Sequence, residues 1–473
     1  MDNLICNINT TLLEAWKIIN NNGKNIVFVI DEMNTLKGVL TDGDIRSYLI
    51  NRQDFNIQIS EIMNTNFVAA NINTSTKDLM LLFNEQIRII PLISDDKKLV
   101  DYVEFNNAIY IPVAIPDLKG NEFKYLTDAF LSTWISSSGK YISRFEDEFS
   151  KYCGTKYGVA VSNGTVALHL ALETLCIGKE DEVIVPDLTF AATINSVLHA
   201  NAKPIIVDIE MDSWCISPGE IRKAITPKTK AIIPVHLYGQ VCNMEEIMKI
   251  AREHNLFVIE DCAEAHGAEF DGHKVGSIGD IGCFSFFGNK VITTGEGGMC
   301  ITNNKYLNDK MRVLRDHGMS KTKRYWHDYV GYNYRMTNLQ ASIGVAQLER
   351  IEEIISNRKG LEKLYREGLK NAQNIIFQRD DLQKRKKITW FVNVLFEKGR
   401  NEILEALREE GIDARPFFYP LSTMPIYKNY ILSNKCALEI SEMGINLPTN
   451  SFVNSSIIDK IKNIIQTVQS NDQ

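Results

Sequence analysis

Short apolar runs, set apart by polar stretches of helical periodicity, recur along most of the chain. In the first hundred residues, Asn25–Ile30, Gly38–Leu40 and Ile89–Ile93 read as buried strands. Thr41-Asp42-Gly43-Asp44 predicts a turn into a helix from Ile45. A second pass opens at Ser60–Met63, with Ser75 as the cap of a helix through Phe83. The two passes form a weak internal repeat of about fifty residues, each unit too small to close a core alone.

From Ala108 the pattern changes. Pro112 and Pro116 punctuate an extended stretch, and strands then alternate with helical segments such as Phe190–Ala200. Val183–Val185, Pro204–Val207, Ala231–Val235, Phe257–Ile259 and Cys283–Phe286 are continuously apolar. That predicts a mostly parallel sheet covered on both faces, with ligands beyond the carboxyl ends of its strands. An amphipathic segment, Asn338–Asn357, leads to a last unit. There Lys384–Lys387 reads as a solvated loop and Trp390–Phe396 as a strand of a smaller α+β domain. The expected division is 1–107, 108–357 and 358–473.

The 473-residue chain carries a net charge of −7, which gives no basic footprint for nucleic acid. No apolar run approaches the length of a membrane span, so no membrane partner is expected. The stretch Met1–Cys6 lacks the basic and apolar regions of a secretory signal. Nine cysteines, scattered singly without a C-x-x-C pair, argue for cytosolic thiols and against a disulfide framework or a metal site. A cytoplasmic location is expected.

Four constellations carry candidate chemistry. Val159–Val161 runs through Ser162-Asn163-Gly164-Thr165 into an apolar helix, whose free N–H groups suit a phosphate; a plain helix cap has the same look. Asp261, directly after a buried strand in Val258–Gly267, is a carboxylate at the mouth of the sheet. It suits a protonated ring nitrogen, or it is only a helix cap. Lys290 follows Ser285-Phe286-Phe287-Gly288-Asn289 and precedes Thr294-Gly295-Glu296-Gly297-Gly298. Desolvation there suits the amine to bond a carbonyl carbon, the alternative being a lysine that snorkels from a strand end. Gly331–Asn338 is a polar turn before the long helix.

In this order, over about Ile111–Val453, these segments resemble the DegT/DnrJ/EryC1/StrS family, the sugar aminotransferases of the aspartate-aminotransferase fold. The resemblance implies an α/β large domain binding pyridoxal phosphate, followed by a small α+β domain. It makes Lys290 the Schiff-base lysine, pairs Asp261 with the pyridine nitrogen and sets Glu264 near the phenolic oxygen. Phe190 becomes the aromatic on the ring face, and Gly164, Thr165 and Ser285 the phosphate donors. Asn333 would reach the cofactor of a neighbouring subunit, which implies a homodimer or larger assembly with shared active sites. Relatives with His in place of the lysine are dehydratases, so Lys290 implies a transaminase moving an amino group from glutamate to a nucleotide sugar for polysaccharide biosynthesis.

Lys323–His327 and Ala414–Leu421 are most similar to the branch that aminates C-4 of GDP-4-keto-6-deoxymannose. They imply substrate contacts from Arg324, Tyr325, Trp326 and Arg415, a structural ion pair being the other reading of Arg415. Ser422 departs from that branch, which has His there, so UDP- or dTDP-linked keto sugars and amination at C-3 stay open. The N-terminal repeat resembles a tandem CBS module, because Gly38–Asp44 fits G-h-h-T-x-x-D. The resemblance implies contacts from Thr41 and Asp44 to an adenine or guanine nucleotide; capping of the next helix is the alternative. Leu99–Phe105 lacks the Gly and Thr, so one such site at most is expected. No G-x-x-x-x-G-K-[ST] run exists, which disfavours nucleotide hydrolysis. A non-catalytic nucleotide sensor is the remaining reading from another class.

Overall fold

The computed structural model describes residues 2–52, 54–74, 78–79, 82–83, 87–104 and 110–471. The chain divides into two units, Met1–Ile111 with Glu409–Gly411 and Pro112–Arg408 with Ile412–Gln473.

The repeat seen in the sequence is a repeat in the first unit. Strands Ile5–Asn7, Ile26–Ile30 and Leu36–Thr41 form one three-stranded sheet, and Ala70–Asn71, Ile89–Ile93 and Leu99–Glu104 form another. In each, the first pair is parallel and the second antiparallel. Neither sheet closes a core alone: Leu99 of the second packs with Phe28, Leu36 and Val39 of the first. The helix after Thr41 spans Asp42–Asn51, three residues longer at its start than the Ile45 boundary, because Thr41 and Asp44 form a reciprocal cap. Ser75, the expected cap of the second repeat's helix, lies outside the described residues, as do Phe105 and the Ala108 boundary.

The second unit is built on a seven-stranded sheet. Its order is Tyr157–Val161, Gly298–Thr302, Ile281–Ser285, Phe257–Asp261, Thr229–Ile232, Glu182–Pro186, Lys203–Val207. Gly298–Thr302 is antiparallel to both neighbours and the remaining pairs are parallel. Successive side chains of a strand point to opposite faces. Val183 and Val185 thus enter one apolar cluster and Ile184 the other, as Ile259 and Val258 do. Both faces are dry, as the continuous apolar runs require. A four-stranded antiparallel sheet follows: Ile375–Phe377, Val392–Phe396, Gly444–Leu447 and Arg415–Pro416. Among the described residues, no helix is long and apolar enough to cross a membrane.

Two details differ from expectation. The segment Asn338–Asn357 is two helices, Asn338–Glu349 and Ile351–Gly368, broken at Arg350. That guanidinium pairs with Asp117 at 3.2 Å and Glu353 at 2.8 Å. The second helix also runs straight through the expected boundary at residue 357. Lys384–Lys387 is not a free loop. Arg385–Lys386 pairs with Glu269–Phe270 as strand, and Lys387 is buried against Glu362 at 2.6 Å.

Candidate active site

The sheet ends where the chemistry collects. Asn163 caps helix Gly164–Thr174, its Oδ1 accepting from the Val166 N–H at 3.0 Å. The N–H groups of Gly164 and Thr165 have no intrahelical acceptor, and both residues line the same cavity as Lys290, an arrangement suited to an anion. Ser285 ends the strand alongside. A Cβ at Gly164 would lie 2.7 Å from Ser285 Cβ, so only glycine permits this approach.

Asp261 is the last residue of its strand and is buried. Its Oδ2 accepts from Thr193 Oγ1 at 2.9 Å and its Oδ1 from the Ala263 N–H at 3.2 Å. Thr193 Oγ1 lies 3.0 Å from Thr189 Oγ1, so with its own proton on Asp261 it receives one from Thr189. Burial raises the Asp261 pKa, and the bonds from Thr193 and Ala263 oppose that rise. Glu264 Oε2 accepts from the Tyr238 N–H at 2.8 Å, and burial pushes its carboxyl up to about 7.

Lys290 is 12% exposed, with Nζ 3.7 Å from Glu264 Oε1 and 4.0 Å from the Trp390 ring centroid. Burial lowers its pKa, against the pull of Glu264 and Asp261. An amine so placed is more nucleophilic near neutral pH than one on the surface. The neighbouring Glu260 faces away and is saturated. It accepts from the N–H groups of Gly276, Ile278 and Gly279 and lies 3.1 Å from His236 Nε2. His236, Glu260 and Cys262 hold possible ligand atoms within 4.8 Å of one another, but these bonds make them a structural clasp.

One cavity of about 670 Å³ brings together Gly164, Thr165, Phe190, Asp261, Glu264, Ser285, Lys290 and Arg415. Phe190, 60% exposed, sits at the mouth with its ring 5.7 Å from that of Phe418. Arg415 pairs with Asp413 at 3.3 Å, an exposed contact that leaves the guanidinium able to turn to a ligand. Arg324, Tyr325, Trp326 and Asn333 do not line this cavity. Arg324 lies over Tyr325, Trp326 donates to Asp328 at 3.1 Å, and Asn333 accepts from Arg335 Nε at 3.1 Å.

In the first unit, the Thr41 N–H and hydroxyl donate to Asp44 Oδ2 at 2.9 and 2.6 Å, and the Asp44 N–H donates back at 3.2 Å. Thr41 also lines a cleft of about 480 Å³ with Lys24, Arg46 and Arg88, whereas Asp44 does not reach it. Both residues form the cap of the following helix.

The large cavity fits pyridoxal phosphate. Its deep end offers a buried carboxylate with no cation within 4 Å among the described residues, suited to a protonated ring nitrogen. Its other end is an anion cradle that a Cβ would fill, and an amine stands between. Sequence reasoning missed Thr193 and Trp390, which complete the site. Thr193 read as an ordinary helix residue and Trp390 as strand; only the packing of distant segments brings them in.

The chain matches the family model of the DegT/DnrJ/EryC1/StrS aminotransferase family over residues 116–468 and the CBS domain model over 1–51 and 59–109. It is 45% identical over 356 residues to the GDP-perosamine synthase of Caulobacter vibrioides, covering 74% of this chain and 96% of that protein. It is also 45% identical over 342 residues to the GDP-perosamine synthase of Escherichia coli O157:H7, covering 72% and 93%. Among solved structures, the PLP-form of the putative sugar aminotransferase Spr1654 from Streptococcus pneumoniae is similar at a TM-score of 0.72 and 28% identity, covering 76% of this chain and 99% of that one.

Proposed function

The chain belongs to the DegT/DnrJ/EryC1/StrS aminotransferase family, and we propose that it moves an amino group from glutamate to C-4 of GDP-4-keto-6-deoxymannose, giving GDP-perosamine. The observation that carries the reaction class is the convergence of Lys290, Asp261 and Glu264 on one cavity that ends in the Gly164–Ser285 cradle. The sugar rests on the two perosamine synthases at 45% identity.

In this reading Gly164, Thr165 and Ser285 hold the phosphate, and Phe190 covers a ring face. Asp261 holds the ring nitrogen protonated, itself kept in place by Thr193 and the Ala263 N–H. Pyridoxal phosphate bound there supplies an electron sink for the pair left when a proton leaves the amine-bearing carbon. Lys290 Nζ takes the proton from the α-carbon of glutamate and later delivers one to C-4 of the sugar. The same amine serves both ways because its pKa is already lowered by burial. Glu264 Oε1, 3.7 Å from Nζ, offsets part of the ammonium charge while Lys290 is protonated.

The sugar diphosphate meets Arg415 at the rim. Arg324, Tyr325, Trp326 and Asn333 do not line that cavity within one chain, so the reading assigns them to the site of a second copy. The exposed Phe123, Phe130, Leu131 and Trp134 support such a partner, since these apolar side chains would otherwise face water. The proposal therefore includes a homodimer or larger homo-oligomer; it sets the division between large and small domains within the helix Ile351–Gly368, which is continuous across it. It also includes a cytoplasmic location, which nine free cysteines support. A purine nucleotide in the cleft of Thr41, Lys24, Arg46 and Arg88 is the matching assignment for the N-terminal pair.

The test is product identity. Cofactor-loaded protein with glutamate and GDP-4-keto-6-deoxymannose should give GDP-perosamine in the mass spectrum. Turnover only with UDP- or dTDP-linked keto sugars would keep the reaction and discard this substrate. Adding AMP, ATP or GDP to the same assay tests the cleft; flat rates with no binding would remove that assignment.

A further inference from the structure

The working amine is held by more than its carboxylate neighbour. Trp390 is 3% exposed and donates its Nε1–H to the Asn289 carbonyl at 2.8 Å, on the residue before Lys290. Its ring centroid lies 4.0 Å from Lys290 Nζ. Arg358, on helix Ile351–Gly368, is also buried. Its Nη1 donates to the Trp390 carbonyl at 2.6 Å and its Nη2 to the Lys290 carbonyl at 3.4 Å. Among the described residues no carboxylate lies within 4 Å of that guanidinium, so its described hydrogen-bond acceptors are those two carbonyls. A buried cation bound only to backbone is a poor device for stability and a good one for register.

We infer that the indole face of Trp390 is the resting place of the Lys290 ammonium whenever that amine is free, and that Arg358 is a positioning residue that keeps the two aligned. The inference rests on Lys290 as the working amine. An amine that must be free in every half-reaction needs somewhere to carry its charge at a position where its side chain is only 12% exposed. Glu264 Oε1, at 3.7 Å, lies beyond hydrogen-bond distance of Nζ, and the other oxygen of that carboxylate accepts from the Tyr238 N–H. An indole face attracts an ammonium without a desolvation cost of its own. The titratable and charged groups facing Lys290 are Glu264, Asp261, His266 and Arg358. His266 is pushed down to about 3, chiefly by burial, and stays neutral.

The measurement is competitive acetylation of the full-length, cofactor-free protein over a pH series, with the Lys290 peptide quantified by mass spectrometry. Each rate is divided by that variant's own high-pH plateau, so the ratio reports protonation and not access. Trp390→Leu should raise the ratio below the midpoint about tenfold, because the charged form has lost its support. Trp390→Phe keeps a ring of weaker attraction and should raise it about threefold. Arg358→Lys keeps the charge but loses the fork, and should raise it in the same direction. If Trp390→Leu fails to fold by circular dichroism, the phenylalanine variant decides. A ratio equal to wild type in the folded Trp390 variants overturns the role of the indole, and one in Arg358→Lys overturns the positioning role. Neither cofactor nor sugar enters the measurement, so a failure here is separable from a failure of the transaminase reading.

Discussion

Replacing Thr193 by valine removes one hydroxyl and almost no volume, at a residue whose hydroxyl donates to Asp261 and meets Thr189. The structure sets the consequence. Burial raises the Asp261 pKa, and the 2.9 Å bond from Thr193 is the larger of two hydrogen bonds holding it down. Without it the carboxyl rises further, so a smaller share is ionised at any acidic pH, and the acid limb of activity moves to higher pH. A hydrogen bond to a charged group is worth about 1.5–3 kcal/mol. At a fixed pH on the acid limb this corresponds to a rate loss of roughly 10- to 150-fold, shrinking towards the alkaline plateau. The assay is kcat/KM for the amino donor across pH, for wild type, Thr193→Val and Thr193→Ser. Serine keeps the hydroxyl and should stay near wild type. Superimposable profiles for valine and wild type would refute the claim that Asp261 must be ionised and that Thr193 helps to keep it so.

Gly164→Ala places a methyl against Ser285 Cβ at 2.7 Å; overpacking of this kind costs about 1–3 kcal/mol and should weaken cofactor retention roughly 5- to 150-fold by equilibrium dialysis. Asp187 is buried beneath the Ser422 N–H and hydroxyl, both at 2.7 Å, and burial raises its carboxyl to about 6. A raised carboxyl pKa means stability present at low pH and lost as pH climbs through about 6. Asp187→Asn should therefore gain on wild type by about 1.4 kcal/mol in urea unfolding between pH 5 and pH 8, the remainder of the shift from 3.8 to about 6 acting below pH 5; a pH-independent difference would show that Asp187 is not titrating. Lys290→Ala should fold with an unchanged melting profile yet give no amino sugar.

The cofactor end of the site was legible because its residues sit in contiguous runs at strand ends, where the chemistry of each neighbour is printed beside it. Lys290 follows a buried strand and Asp261 ends one, so the same apolar pattern that predicts the sheet predicts their place. Thr193, Trp390 and Arg358 were not legible. Each meets the site through packing of segments far apart in the chain, and each has an ordinary local role as helix or strand residue. Thr41 and Asp44 show the opposite difficulty: their spacing suits a nucleotide and a capping box equally, and only the atoms show the cap in place. Arg350 broke a helix that periodicity alone would continue, because its partners Asp117 and Glu353 reward the break. Lys387 reads as solvated beside its basic neighbours, because its buried partner Glu362 lies on a helix 25 residues away in the chain.

The central claim is that one amine, Lys290, carries protons both ways between glutamate and a GDP-linked keto sugar. It is tested most directly by separating the two half-reactions. Protein loaded with pyridoxal phosphate is mixed with glutamate, freed of it, and given one equivalent of GDP-4-keto-6-deoxymannose while visible absorbance is followed. The account predicts that the yellow colour fades in the first step with release of 2-oxoglutarate and returns in the second with release of GDP-perosamine, and that Lys290→Ala does neither. Colour that never responds to glutamate in the wild type, or that cycles equally in Lys290→Ala, would contradict it.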